Sequence, residues 1–446
     1  MPSPRRTIVS IVTGAMLATL AVAPGASAGS ECGTFDGQGC APASKRVDLD
    51  EPTFTNPTDI TNPLFPISEL HSALLLGHVD GKPFRTETTL LPTTQVIEWR
   101  GQRVEVLLSQ YMAYLDGRLE EVAIDRYAQA DDGSVWYFGE DVFDYADGTV
   151  VATEGTWLAG RDGPPAMIMP GDPKVGDTYR PENAPGIVFE EVTVKKVDTT
   201  VDGPLGPVDG AVTVDELHVD GSHETKLFAP GYGEFRTAGG GDLEAIALAV
   251  PTDALGGLPP AELTAMSSGS VATLESARVD DFESARATLK RVRSAWKTLQ
   301  NDEPPPKPVA ANVDRSLGAL ERAVASKKLA NVGQPALDLA QSALDLELRH
   351  REPAEIDAGR LELWTQQLRV DADADDQAAV ASDVEVLEWI RDRLTGALDT
   401  GALAEINARL RDLRVATDAE NLPAAADHAA RLGARLRTLL PRQPVG

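Results

Sequence analysis

The distribution of Asp-Gly dipeptides is the feature that most restricts how this chain can fold. Nine occur between residues 36 and 221, and none follows in the rest of the 446 residues. Asp-Gly between β-prone runs is a strong hairpin signal, because a type I′ turn needs positive φ at both central residues. The first half is therefore predicted to be an antiparallel β-meander of about ten strands, either a curved sheet or an open barrel. Strands are expected at 73–79, 84–91, 104–115, 119–128, 135–145, 150–157, 188–197, 211–219, 222–228 and 243–250.

The second half has a different pattern, rich in Ala, Leu and Arg. Apolar residues recur at helical spacing, as in Leu337, Ala340 and Leu344. Helices are predicted at 261–300, 309–328, 333–350, 354–372, 376–397, 401–416 and 421–440. The expected fold class is thus α+β in separate domains: a β-domain at 64–250, a linker at 251–260 and an α-helical domain at 261–440.

A weak repeat runs through the helical half. Similar stretches begin at Leu274, Leu320, Leu368 and Leu413, 45 to 48 residues apart, and each consists of a Leu, a short polar turn and an Ala-rich run. Such a period predicts stacked helical hairpins, arranged as a bundle or a short solenoid. A solenoid would offer a surface for a protein partner, whereas a compact bundle would be structural.

Charge separates the two halves as well. The chain has a formal net charge of −28. Residues 29–260 contain 39 acids and 15 bases, and residues 261–446 contain 30 acids and 24 bases. Nucleic acid and anionic lipid surfaces are poor partners for so acidic a protein. Because much of the acidity falls in the Asp-Gly turns, it is assigned mainly to solvated hairpin tips.

Residues 1–28 are predicted to be a cleaved secretory signal peptide. Arg5 and Arg6 form the positive start, 8–22 is apolar, and 26–28 offers small residues for cleavage. The arginine pair also fits twin-arginine export, but the residues after it match that signal poorly, so ordinary secretion is favoured. Since no later run reaches about 18 uncharged apolar residues, we expect an extracellular or cell-envelope protein without an integral membrane segment.

The two cysteines are expected to form a disulfide. Cys32 and Cys40 are the only ones in the chain, and they would lie in an oxidising compartment after export. Their spacing does not fit a redox motif. Residues 29–63 are therefore described as a disulfide-closed tail followed by a linker rich in Pro, Thr and Asp.

Several motifs of the first half resemble a family of exported, β-rich bacterial proteins of unassigned function. They are 127–140 (YAQADDGSVWYFGE), 154–163 (EGTWLAGRDG), 168–170 (IMP), 175–180 (VGDTYR) and, upstream, 62–66 (NPLFP). The resemblance covers about residues 56–234 and implies a β-rich exported domain. It implies no activity, cofactor or catalytic residue. At 67–69 this chain has Ile-Ser-Glu where members tend to have Pro-Gly-Thr, so its first hairpin is expected to start differently.

Aromatic residues on both faces of one predicted strand are candidates for a ligand groove. Trp136 and Phe138 share one face and Tyr137 the other, while Trp157 is expected on the antiparallel partner. Packed core is the main alternative interpretation. The proline-rich stretch 161–185 is predicted to be a long loop that could lie across the mouth of the sheet.

Two groups of residues could bind metal. With a two-residue turn at Asp220-Gly221, His218 would lie opposite His223 with Glu216 on the same face, a donor set suited to Zn²⁺ or Cu²⁺. The alternative is an exposed pair of histidines near a turn. A second group, Glu140, Asp141, Asp144 and Asp147, would suit Ca²⁺ but has none of the required ligand spacings.

The sequence therefore favours a secreted, non-catalytic binding protein. The β-domain would hold an apolar or small ligand, and the helical domain would bind a partner. No Gly-x-Ser-x-Gly, His-Glu-x-x-His or Walker loop is present. No cofactor is expected apart from the divalent metal of the alternative sites. A metal-binding protein and a hydrolase with a site assembled from distant positions are the two alternatives.

Overall fold

The computed structural model describes residues 41–439, which divide into a sheet unit, residues 41–145 and 150–252, and a helical unit, residues 146–149 and 253–439. The signal peptide predicted for residues 1–28 and the disulfide predicted between Cys32 and Cys40 lie outside the described residues.

The sheet unit contains one antiparallel sheet of 14 strands that does not close on itself. The strands are β1 Ser72–Val79, β2 Lys82–Trp99, β3 Gln102–Leu115, β4 Arg118–Gln129, β5 Val135–Ala146, β6 Thr149–Ala152, β7 Trp157–Leu158, β8 Ala166–Met169, β9 Thr178–Ala184, β10 Val188–Gly203, β11 Gly206–His218, β12 His223–Ala229, β13 Gly233–Gly239 and β14 Asp242–Val250. Their order is β6-β5-β4-β3-β2-β1-β14-β13-β12-β11-β10-β9, with β7 and β8 paired to β5. The predicted antiparallel sheet is confirmed.

Three of the Asp-Gly dipeptides form the predicted type I′ turn. Both residues have positive φ at 80–81, 116–117 and 147–148, which connect β1 to β2, β3 to β4 and β5 to β6. Arg100-Gly101 has the same pair of positive φ values between β2 and β3. The local turn chemistry therefore accounts for the first part of the meander.

The stretch 161–185 is not the long loop that its prolines predicted. It contains β8 and β9, and Pro181 lies inside β9. Strand β9 is the last strand on the path through the sheet, and it pairs with β10 along one edge. Proline is tolerated in such an edge strand, where its missing amide does not interrupt a ladder. Strand β13 was also missed, since it begins and ends with glycine.

The lead-in before β1 lies along the sheet. Ile60 is fully buried, and Asn62 donates from Nδ2 to the backbone oxygens of Gly133 and Pro170, both at 3.0 Å. The Asn62 Oδ1 atom accepts from the Leu64 amide at 3.0 Å. The Asn-Pro motif of the resemblance thus holds the lead-in against the strands that follow it.

The helical unit consists of eight α-helices. They are α1 Ala261–Arg278, α2 Phe282–Asp302, α3 Lys307–Ser326, α4 Gly333–Glu347, α5 Pro353–Asp373, α6 Gln377–Arg393, α7 Thr400–Asp418 and α8 Leu422–Leu439. Helix α1 packs against α2 and α4, and α5 packs in the same way against α6 and α8. The unit is therefore two four-helix groups in tandem, joined through α4 and α5. In the described part of the chain, no helix has the length and hydropathy needed to span a membrane.

The predicted helical repeat has a conformational counterpart. Helices α1, α3, α5 and α7 are each followed by a turn with one residue in the left-handed region: Asp280, Lys327, Asp375 and Glu420, with φ between 53° and 59°. The residue after three of these turns caps the next helix: Asp281, Asp376 and Asn421 accept from the amides of Ser284, Ala379 and Ala424. The first of these turns divides the segment predicted as one helix at 261–300 into α1 and α2.

We expect Lys327→Gly to stabilise the helical unit. Lys327 ends α3 with φ 53°, and a non-glycine residue in that region costs roughly 1–2 kcal/mol. Glycine removes this strain but loses more entropy on folding, so the net gain should be about 0.5–1 kcal/mol in urea unfolding. Ala325→Gly is the control within exposed helix and should lower stability by about 0.5–1 kcal/mol. Loss of stability in both variants would show that the turn is not strained.

Candidate functional site

The sheet unit encloses a cavity of about 110 Å³. Part of its wall is apolar and includes Phe65, Leu70, Leu75 and Phe228. The rest carries more ionisable groups than a protein interior normally does. Among the described residues, the wall has one basic side chain, Lys226, and six carboxylic acids: Asp125, Glu182, Glu190, Glu216, Glu234 and Glu244.

Strand register explains why these acids converge. Residues directly opposite one another in neighbouring strands project from the same face of the sheet. Glu190 of β10 is opposite Glu182 of β9 on one side and His218 of β11 on the other. Glu216, two residues before His218, is opposite Glu224 of β12. The inner face therefore collects acids from four consecutive strands of the path.

A bulge in β5 adds to this face from the other end of the sheet. Asp125 of β4 pairs with Glu140, whereas Tyr127, two residues later, pairs with Tyr137, three residues earlier in β5. The extra residue allows Tyr137 and Glu140 to share a face. Gly139 occupies the bulge with φ 113°, and a Cβ there would lie 2.2 Å from a backbone oxygen of β7. Glycine is therefore required at this position.

Aromatic rings form one side of the cavity. Tyr127 and Tyr137 are stacked with centroids 4.9 Å apart, and Trp157 packs edge-on against Tyr137 at 5.5 Å. The Tyr137 hydroxyl donates to Asp125 Oδ1 at 2.6 Å. Of the four predicted groove residues, Tyr137 lines the cavity and Trp157 supports it from behind.

The other two predicted groove residues belong to the packed core. Trp136 donates from Nε1 to Ser134 Oγ at 2.8 Å, and Phe138 packs edge-on against Phe54 at 5.4 Å. Both are buried, and neither lines the cavity. The core interpretation is thus correct for these two rings.

The acids beside the tyrosines are held in environments that favour their protonated form. Burial raises the pKa of Asp125 to about 6, although the Tyr137 bond and Arg126 act against this. Burial followed by repulsion from Glu182 raises the pKa of Glu140 well above its ordinary value. The pKa of Glu182 is raised in the same direction by burial and then by Glu190.

A buried ion network occupies the opposite part of the inner face. Lys226 Nζ lies 2.5 Å from Glu216 Oε2, and His218 lies between Glu190 (Nδ1 to Oε1, 3.3 Å) and Glu224 (Nε2 to Oε2, 3.7 Å). Burial alone would lower the pKa of His218, but hydrogen bonds to the two glutamates outweigh it and raise the pKa to about 11. Burial raises the pKa of Glu190, but the bond from His218 together with the charges of Lys226 and His218 more than offsets this and lowers the pKa to about 2. His218 is therefore an imidazolium at neutral pH.

The predicted pairing of His218 with His223 is wrong by one residue. Leu217, not His218, is opposite His223. Only the glycine of Asp220-Gly221 has positive φ (84°), and the His218 amide donates to the oxygen of Ser222. The loop is thus a type I turn with a glycine bulge, which is one residue longer than a type I′ turn. This shift puts His223 on the opposite face, where it is 55% exposed.

Among the described residues, one group has three ligand atoms close enough together to hold a metal. It consists of Glu190, Glu216 and His218, whose ligand atoms all lie within 4.8 Å of one another. This group retains His218 and Glu216 of the predicted site and replaces His223 with Glu190. Lys226 and the imidazolium of His218 already supply positive charge here, so a metal would have to displace a proton and a lysine.

The four acids considered for Ca²⁺ do not converge. Glu140 faces inward and is fully buried, whereas Asp141 forms an ion pair with Arg126 at 2.5 Å. Asp144 is half-buried, and burial followed by repulsion from a neighbouring glutamate raises its pKa to about 6. Asp147 is exposed at a hairpin tip. Alternation along β5 and the turn that follows it separate these side chains.

Glu182, Glu190 and Glu244 were not singled out from the sequence. Acidity was assigned mainly to hairpin tips, but these three residues lie within strands beside apolar residues and are buried. The available signal was a glutamate in the middle of a β-prone run, as in Val188-Phe-Glu-Glu-Val192. That signal shows that one acid must face inward, but it does not show which strands meet.

No protein-family model and no curated protein matches the chain in sequence. The resemblance to exported β-rich proteins thus stays a prediction, and the site is interpreted from its own geometry.

We expect the sheet unit to lose stability as pH rises from about 4 to 8. The folded state raises the pKa of Asp125 from 3.8 to about 6, so its contribution is lost as pH rises through this interval. Asp125→Asn still accepts from Tyr137 but cannot ionise. It should therefore raise the unfolding free energy at pH 8 by on the order of 2 kcal/mol and change it little at pH 4.

Tyrosine second-derivative absorbance during urea unfolding measures this effect in the sheet unit alone, because all seven tyrosines lie between residues 111 and 232. Asp131→Asn is the control. Bonds from Thr53 and Thr55 lower the pKa of Asp131, so its contribution is present at pH 8 and lost as pH falls. This variant should therefore lower stability at pH 8. Equal destabilisation of Asp125→Asn at pH 4 and pH 8 would contradict the assignment.

The hairpin register predicts different effects for the two histidines. His218→Ala should lower the unfolding free energy by about 2–4 kcal/mol, because it leaves buried glutamates without their cation. His223→Ala should stay within about 0.5 kcal/mol of wild type, as is usual for an exposed side chain. The same urea unfolding measurement compares them. Similar losses in both variants would support the two-residue turn instead.

Proposed function

We propose that the sheet unit binds a small molecule in its interior cavity and that the protein acts by binding rather than by catalysis. The observation that carries this proposal is a set of buried polar atoms on the cavity wall that have neither a hydrogen-bond nor an ion-pair partner among the described residues. They are Tyr111 Oη, Glu182 Oε1 and Glu244 Oε2, and each of these residues is no more than 5% exposed.

Unfilled hydrogen bonds of this kind are costly. Leaving a buried donor or acceptor unsatisfied costs about 1–3 kcal/mol, and native proteins rarely do so without a reason. Three such atoms around one cavity have a common explanation if a ligand with polar atoms fills it.

The volume of the cavity suits a small ligand. A cavity of about 150 Å³ accommodates benzene. At about 110 Å³ this cavity suits a molecule no larger than benzene. Phe65, Leu70, Leu75 and Phe228 would contact its apolar part. The wall includes no serine, cysteine or histidine among the described residues, so it offers the hydrolase alternative no Ser–His or Cys–His pair.

Export rests on the signal peptide predicted from the sequence at 1–28. A partner surface on the helical unit is supported by its tandem helical hairpins, an architecture that often binds other proteins.

Metal binding at Glu190, Glu216 and His218 is a second candidate because their ligand atoms converge. Lys226 at 2.5 Å from Glu216 opposes it. Elemental analysis of protein purified without a histidine tag tests this. Stoichiometric metal that is lost in His218→Ala and retained in His223→Ala would favour the metal site over a purely ionic network.

Filling the cavity should abolish small-molecule binding. Thr88 lines the cavity from β2, and Thr88→Phe would occupy it. Ligand-observed NMR with neutral, cationic and anionic probes no larger than benzene should detect binding to wild type but not to this variant. Thr94→Phe is the control, since Thr94 is on the same strand but exposed. Absence of binding by every probe, or binding that persists in Thr88→Phe, would exclude the cavity as the site.

A further inference from the structure

Resting on the proposed function, we infer that the ligand is a small organic cation, a primary ammonium on a short apolar body, held by Glu182 and Glu244. The inference goes beyond a cavity for an unspecified molecule, because it assigns the charge of the ligand and the two groups that recognise it.

Several acids of the cavity wall already have partners within the protein. Asp125 accepts from Tyr137, and Glu190 is paired with His218. Glu216 is bonded to Lys226 Nζ at 2.5 Å. Glu234 accepts from Thr237 Oγ1 at 2.5 Å. Four of the six carboxylic acids are therefore engaged by the protein itself.

Among the described residues, the remaining two acids each keep one oxygen that has neither a hydrogen-bond nor an ion-pair partner. Glu244 accepts from Thr86 Oγ1 through Oε1, which leaves Oε2 without a partner. Glu182 faces the carboxyl group of Glu140, and its Oε1 has no partner. Both residues line the cavity and are buried. A ligand that donates hydrogen bonds would satisfy both atoms.

The excess of acids on the cavity wall favours a positively charged donor. The basic residue of the wall, Lys226, is bonded to Glu216 and leaves an excess of acids over bases. An anionic ligand would bring a negative charge into this acid-rich interior, at a large desolvation cost. Burial and then repulsion from Glu234 raise the pKa of Glu244 well above its ordinary value, although the bond from Thr86 and the charge of Lys226 act against this. A cationic donor is the complementary ligand.

Tyrosine rings form the aromatic part of the cavity wall. Tyr111, Tyr127, Tyr137, Tyr179 and Tyr232 all line the cavity. The face of an aromatic ring attracts a cation and also packs against alkyl groups. These rings suit both ends of an alkylammonium ion.

The test compares three probes of nearly equal size and different charge: n-butylammonium, 1-butanol and butyrate. Isothermal titration calorimetry of the full chain at pH 7 should show that n-butylammonium binds at least about tenfold more tightly than 1-butanol, with no measurable binding of butyrate. Since this comparison needs only wild-type protein, it holds even if a variant fails to fold.

Matched variants assign the recognising groups. Glu182→Gln and Glu244→Gln should each weaken n-butylammonium binding by about 10- to 100-fold, the usual effect of losing a charged hydrogen bond. Each should leave 1-butanol binding within about twofold. Asp215→Asn removes one negative charge at a residue that pairs with exposed His223 rather than lining the cavity, and should change neither affinity.

The outcomes separate this inference from the proposed function. Tighter binding of 1-butanol or butyrate than of n-butylammonium would overturn the cationic ligand while leaving a ligand cavity in place. Tight n-butylammonium binding unaffected by both Gln variants would overturn the assignment of Glu182 and Glu244. If none of the charged and neutral probes binds to wild type, the proposed function and the inference fail together.

Discussion

The burial of carboxyl groups on the inner face of the sheet is the constraint on which the rest of the sheet unit depends. Each buried carboxylate needs a cation, a set of hydrogen bonds or a proton. Part of the face uses cations: Lys226 pairs with Glu216, and the imidazolium of His218 lies between two glutamates. Around Asp125 the face uses tyrosine hydroxyl groups and protons instead. At the cavity, neither cations nor tyrosine hydroxyl groups provide partners for all the carboxyl groups. The electrostatic character of the cavity, rather than its shape, therefore defines the candidate site.

The general fold could be predicted because turn chemistry and periodicity are local. Positive φ at Asp80-Gly81 and Asp116-Gly117 follows from the dipeptide itself, and the helical repeat follows from polar turns that recur at a constant interval. Local signals fail where two structures satisfy them equally. Asp220-Gly221 fits a type I turn with a glycine bulge as well as a type I′ turn, and the choice adds one residue to the loop. Because side chains alternate along a strand, that one residue decides whether His223 meets His218 or points to solvent.

The candidate site could be predicted only in part, because the cavity wall combines residues of β4 and β5 with residues of β9 to β12, two groups of strands that do not pair with each other. Tyr137, Glu216 and His218 were recognised individually as unusual residues. Their real neighbours come from β4, β9 and β10, and nothing local indicates that β9 forms one end of the sheet or that Gly139 makes a bulge. Acids within strands were also misjudged, since an acid in a strand is normally solvated. Glu244 shows the opposite. It lies only two residues from the start of β14, close to a hairpin turn, and yet it is 2% exposed.

The energetic consequence is that stability and ligand binding share the same groups. Each proton held by the inner face is a stabilising contribution that ionisation removes, and each unfilled hydrogen bond is a cost already present in the folded state. A cation bound in the cavity acts on both, because it pairs with an ionised carboxylate and fills a vacant acceptor. Its contribution to stability grows with the logarithm of its concentration once that exceeds the dissociation constant. On the proposed function, a small cation would therefore stabilise the sheet unit, because it would offset the excess of six acids over one lysine on the cavity wall.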